Sequence, residues 1–241
     1  MKNQKRISKN KLFLLIIIFF STSLLTQRSF KKINVQNIDI HGSKMFSKED
    51  IVINSSLTFP TRLIFVKTKY MEGELKQNLS LKNISINRQI FPFGLKVLIR
   101  TRVPIAYGEI LLNGEKKVGF FDEDGFFIDE KYTDKKNLEI TRIEVIGWEE
   151  KFRKTLSTIL TSQKNYDFEL NKIIFSKNGF LTLEEKDLQV ILCGFNKSLI
   201  ESQLQIISNL KNQIIEKSII DKIDNIDITD PNNPKIKVFK P

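Results

Sequence analysis

The chain of 241 residues has one cysteine and one histidine. Cys193 alone can form neither an intrachain disulfide nor a thiolate zinc cluster. Every histidine-based triad or metal site would have to use His41. The sequence has no Gly-rich phosphate loop, no Walker-type lysine, no internal repeat and no low-complexity linker. Acidic side chains are missing from residues 1–32, which hold eight basic ones. That absence decides how the formal net charge of +11 is read. A nucleic-acid-binding chain would carry basic residues along its body. Here residues 33–241 hold 31 basic against 28 acidic side chains, close to balance. Isoleucine, lysine and asparagine fill 85 positions, a bias that weakens any argument from lysine abundance alone. What is left, 41% hydrophobic and 28% charged residues, is the composition of a folded body. The length suits one large domain or two small ones.

The basic cluster flanks an apolar run. Lys2, Lys5, Arg6, Lys9 and Lys11 precede Leu12–Phe20, which is wholly apolar, and the uncharged stretch continues to Gln27. Sixteen helical residues span about 24 Å, short of the ~30 Å hydrocarbon core. An anchor at 12–27 therefore needs flanking lysines that snorkel. A cleavable signal peptide also fits, although Ser21-Thr22-Ser23 is a poor cleavage site. A buried helix of a soluble protein leaves the dense basic flank unexplained. Both export readings keep the basic end inside the cell. The expected division is a cytoplasmic tail at 1–11 and a transmembrane anchor at 12–27, which makes the lipid bilayer the first partner.

The rest reads as two modules of an α+β protein. In the first, Val35–Ile40 alternates as a half-buried strand, broken by His41-Gly42-Ser43. Ser47 with Asp50 three residues on is a helix start. Tyr70–Leu79 places Tyr70, Met71, Leu75 and Leu79 on one helical face. Asn83–Ile90 and Leu95–Arg100 are strands around Phe91-Pro92-Phe93-Gly94. The order is β-α-α-β-β, a three-stranded sheet backed by two helices. In the second module, Ile105–Leu112 and Lys117–Phe121 flank the turn Asn113-Gly114. Phe126–Ile128 and Ile140–Val145 follow as strands, then a helix at Trp148–Leu160. Lys172–Phe175, Phe180–Leu183 and Leu188–Leu192 read as a meander. Leu199–Ile215 is the best helix, with Leu199, Ile200, Leu204, Ile207, Leu210 and Ile214 on one stripe. Strands at Ile223–Ile228 and Ile236–Phe239 come last.

These residues resemble a known family. Ile38-Asp39-Ile40-His41-Gly42, Ser47 and Asp50-Ile51 look like the opening strand, glycine turn and first helix of a POTRA module. Arg88-Gln89-Ile90-Phe91-Pro92-Phe93-Gly94-Leu95-Lys96-Val97 with Val103-Pro104-Ile105-Ala106 is similar to the POTRA end of the cell-division family FtsQ, also called DivIB. Asp124-Gly125, Ile146-Gly147, Val190–Gly194 with its long helix, and Asn225-Ile226-Asp227 follow in family order. Thr101 stands where the family usually has Glu, and Asp227-Ile228-Thr229-Asp230 departs from an Asp-Leu-Arg-Tyr-like strand. The resemblance implies a POTRA domain at 33–103 and a larger mixed β domain with two helices at 104–241. It also implies a single-pass inner-membrane protein with a periplasmic body, acting as a non-enzymatic scaffold of the division septum, with no cofactor and no nucleic-acid partner. The implied partners are membrane-anchored proteins of the FtsB and FtsL type. They would be met at Ile236, Lys237, Val238 and Phe239, with Asp227 and Thr229 nearby. The POTRA module would offer a second surface to the peptidoglycan-synthesis machinery.

Catalytic groupings are weak. Asp122-Glu123-Asp124 lacks the remaining oxygen ligands of a calcium loop and reads as a turn. Glu184-Glu185 face opposite ways on a strand and read as surface carboxylates. His41 reads as a turn residue and Cys193 as a buried inert thiol. Lys96, Arg100 and Arg102 read as a solvated basic strand face. The Lys235–Lys240 segment alternates apolar residues with lysines, so an edge position would let it accept another strand. Two rivals remain. A secreted or outer-membrane-assembly POTRA protein would normally precede a barrel, for which no strand tract exists. An exported cell-wall enzyme would need convergent polar residues.

Overall fold

The computed structural model describes residues 9–112, 114–133, 143–163, 165–166, 169–216 and 223–239. The chain divides into two compact units, Met1–Thr101 and Arg102–Pro241.

The first unit opens with helix α1, Lys9–Ser29. Its large apolar side chains from Phe13 to Phe20, with Leu24 and Leu25, are exposed all round the helix. No helix among the described residues is long and apolar enough to cross a membrane. The expected anchor is thus a helix in the right place but is not established as a span. Strand β1 (Lys32–Ile33) pairs with β3 (Thr61–Arg62) as a small antiparallel ribbon. Val35–Asn37, expected as strand, is a 3-10 turn. The Asn37 side chain accepts a 2.9 Å bond from the Asn34 amide and curls the backbone locally. Strand β2 therefore starts only at Ile38 and runs to His41.

Helix α2, Lys48–Ile53, starts where Ser47 predicts. Ser47 Oγ accepts from the Asp50 amide at 3.1 Å, and Asp50 Oδ2 accepts from the Ser47 amide at 2.8 Å. Helix α3, Thr68–Asn78, buries Met71 and Leu75, with Leu79 buried just beyond it. Tyr70 is exposed instead of sharing that face. It lies about 100° round the helix from Met71. Strands β4 (Asn83–Gln89) and β5 (Gly94–Arg100) complete a sheet of order β2-β5-β4. β2 runs parallel and β4 antiparallel to β5.

The second unit is built on a nine-stranded sheet. Its strands are β6 (Ala106–Leu112), β7 (Glu115–Phe121), β8 (Phe127–Asp129), β9 (Ile143–Ile146), β10 (Leu170–Phe175), β11 (Leu181–Glu185), β12 (Gln189–Gly194), β13 (Ile223–Asp227) and β14 (Lys235–Val238). The order is β14-β13-β12-β11-β10-β9-β6-β7-β8. The pairs β6–β9, β9–β10 and β12–β13 are parallel and the others antiparallel. Asn113 and residues 140–142, assigned to a turn and a strand from sequence, lie outside the described residues. The helix expected from Trp148 begins later, as a 3-10 turn at Glu150–Phe152 followed by α4, Arg153–Ser162. Gly147 has φ +69 and Glu149 is extended, so the backbone cannot be helical before Glu150. Trp148 is buried against Phe121, ring centres 5.2 Å apart. Helix α5, Ile200–Glu216, buries Ile200, Leu204, Ile207 and Ile214, with Leu210 partly buried. Leu199 belongs to the preceding 3-10 turn.

Candidate partner-binding edge

Among the described residues, β14 forms one edge of the large sheet and pairs with β13 alone. The register sets Lys235 opposite Asp227, Ile236 opposite Ile226, Lys237 opposite Asn225 and Val238 opposite Ile223, with an irregularity between the last two pairs. Ile223 and Ile226 point into the core and hold β13 in place. β14 is exposed along its whole length. Ile236 is 40% exposed, Val238 52% and Phe239 59%. A row of unpaired main-chain groups flanked by apolar side chains is what an added strand uses. Lys237 Nζ lies 3.1 Å from Asp224 Oδ2, and its side chain stays largely exposed.

Asp227 and Thr229 sit at the start of the turn into β14. Asp227 Oδ1 accepts from the Thr229 amide at 3.0 Å and from its hydroxyl at 2.7 Å. The amide bond, then the hydroxyl bond, hold the Asp227 carboxyl below the usual aspartate value against a weaker burial effect. Both residues shape the turn, and neither lies on β14 itself.

The position of β13 depends on a residue that sequence reasoning missed. Gln203 is buried on α5 and donates from Nε2 to Cys193 O at 2.7 Å and Ile228 O at 2.9 Å. It thereby clamps the ends of β12 and β13 to one helix. The available signal was a glutamine three residues after Ile200 and four before Ile207, within the apolar stripe. A buried amide there demands partners.

The first unit carries the element order β2-α2-α3-β4-β5 over one three-stranded sheet. Residues 33–102 match the family POTRA domain, FtsQ-type. The likeness covers that stretch alone, under half of the chain. This match supports the FtsQ/DivIB resemblance read from the residues. No curated protein matches the chain. Within the POTRA domain, the Arg88 of the family-like run donates from Nε and Nη2 to Val66 O at 3.2 and 2.6 Å. Glu72 Oε1 accepts from the Ile86 amide at 2.7 Å, which joins α3 to β4. His41 lies 2.8 Å from Asp39 at the exposed end of β2.

Two readings from sequence need correction. Glu185 is not a surface carboxylate. It is buried, accepts from the amides of Glu169, Asp187 and Leu188 at 3.0, 2.7 and 2.8 Å, and pairs with Lys211 Nζ at 2.8 Å. Nor does Arg102 share a solvated face with Lys96 and Arg100. Its side chain is buried in the second unit, paired with Asp122 and 3.9 Å from the Phe126 ring centre. Asp122 also accepts from the amides of Asp124 and Phe126 at 3.0 and 2.9 Å and so builds the turn expected there. Cys193 is buried, and burial pushes its thiol far up.

Proposed function

We propose that this protein is a non-enzymatic scaffold of the bacterial division septum, held in the inner membrane by α1 with its body in the periplasm. The FtsQ-type POTRA domain at residues 33–102 carries this reading. The anchor is a short span over 12–27, with Lys11 and Arg28 snorkelling to the two interfaces. Apolar side chains exposed on every side of α1 support it, because water penalises such a surface and lipid does not. Partners of the FtsB and FtsL type add a strand to β14 and contact Ile236, Lys237, Val238 and Phe239, with Asp227 and Thr229 setting the turn beside them. Anchoring receptor and partners in one membrane raises their effective concentration, so each contact can be weak. The POTRA domain offers a further surface to the peptidoglycan-synthesis machinery.

The test is Val238→Pro in the full chain, assayed against detergent-solubilised partners of that type. Proline removes one main-chain donor from an exposed strand. Affinity should fall about tenfold or more, while the near-ultraviolet spectrum of the buried Trp148 stays unchanged. Unchanged affinity with an intact spectrum would reject the β14 site.

A further inference from the structure

The POTRA-bearing stretch is more basic than the near-balance of residues 33–241 suggests. Residues 33–101 hold ten basic and five acidic side chains. The five acids are confined to Asp39, Glu49, Asp50, Glu72 and Glu74, so none occurs in 51–71 or 75–108. Three segments free of acid meet at the end of α1. The chain leaving α1 pairs as β1 with β3, and the Leu63 amide donates to Lys31 O at 3.2 Å. Arg28 Nη1 donates to Ile90 O at 3.1 Å, bringing the β4–β5 turn to the same place.

Aromatic rings are left facing outward there. Phe65 and Phe91 are each 62% exposed, and Phe30 is 45% exposed. Phe30 and Phe65 meet edge to face, ring centres 6.4 Å apart. Cations sit over these rings. The Arg28 guanidinium is 4.1 Å from the Phe91 centre and that of Arg62 6.0 Å from the Phe65 centre. Lys31 Nζ is 5.4 Å from the neighbouring Phe93 ring. Exposed phenylalanines interleaved with arginine and lysine form an amphipathic rim, apolar enough to enter a headgroup layer and charged to match anionic lipid. The rim follows directly on the exposed apolar helix.

We propose that this rim, Phe30, Phe65 and Phe91 with Arg28, Lys31 and Arg62, docks on the surface of an anionic phospholipid bilayer and seats the POTRA domain against the membrane. The proposal rests on the reading of α1 as an anchor. Docking would fix the domain at the end of α1 instead of leaving it to pivot. Each cation removed near such a surface weakens the attraction about fivefold.

The experiment places an environment-sensitive fluorophore on single thiols of the full chain in vesicles. Cys193 is buried and does not compete for the label. Labels at Phe65→Cys and Phe91→Cys report the rim, and Phe19→Cys reports α1. Asn83→Cys is the control, at the other end of the β4–β5 hairpin from Phe91. Headgroup-level nitroxide lipids should quench positions 65 and 91 at least twofold more than position 83 in phosphatidylglycerol vesicles. The difference should shrink in phosphatidylcholine, in high salt, and in an Arg62→Glu, Lys31→Glu background. Deep nitroxide lipids should quench position 19 in both vesicles. Quenching at 19 with none at 65 and 91 would overturn the rim and spare the anchor. No quenching at 19 would overturn the anchor and with it the seating of the domain at the end of α1. Equal quenching in the two lipids, or shielding of 65 and 91 only after a protein partner is added, would overturn the proposal.

Discussion

Lys211 and Glu185 form a buried ion pair in the second unit, 2.8 Å apart. Burial works to lower the Lys211 amine. Bonds to the Glu185 carboxylate at 2.8 Å and the Asp187 carboxylate at 2.9 Å outweigh burial and hold its pKa above the ordinary 10.5. A raised lysine stabilises the fold fully below the unfolded value, and that contribution fades as pH climbs through the folded one. Stability should therefore drop above about pH 10.5 in the natural protein. The drop should be smaller in Lys211→Met, by urea midpoints at pH 7 and 11. At pH 7 Lys211→Met should cost about 3–5 kcal/mol, because Glu185 stays buried without its cation. Gln203→Leu leaves Cys193 O and Ile228 O without a donor and should cost about 1–3 kcal/mol, read from the same denaturation curves. If Gln203→Leu leaves the midpoint unmoved, the clamp on β12 and β13 is not what holds the edge in place.

At the scale of elements, local rules predicted most helices and strands. Ser47 with Asp50 marks the start of α2, and period-two alternation marks β4 and β5. The failures lie where a side chain bends the backbone or a glycine breaks it. Asn37 turned an expected strand into a 3-10 turn, and Gly147 delayed α4. Gly94 shows why the β4–β5 turn tolerates so little. A Cβ on it would sit 2.0 Å from the Asn37 carbonyl oxygen, and its φ is +148. Gly94→Ala should destabilise the POTRA domain by about 1–3 kcal/mol. The check is amide exchange in β2 and β5, which should accelerate there and not in β10–β12.

At the scale of the whole molecule, charge is divided between the units. Against ten basic and five acidic side chains in 33–101, residues 102–241 hold 21 basic and 23 acidic. The near-balance of 33–241 is thus the sum of a basic unit and a slightly acidic one. Deleting residues 9–29 should move the protein from the membrane pellet to the supernatant after high-salt and alkaline extraction. A deleted chain that still pellets under both conditions would show that α1 is not what holds it there.

The sequence by itself determined the start of α2, the strand alternation and the POTRA element order. Each depends on residues near one another in the chain. It also marked Ile236–Phe239 as a strand. Only the tertiary structure decided that β14 lies at an edge, that Glu185 and Lys211 meet across 26 positions, that Arg102 is buried, and that three acid-free segments converge at the end of α1. These are long-range pairings. Strand order and burial of a charge follow from which distant partner is available, and hydrophobic periodicity carries no record of that.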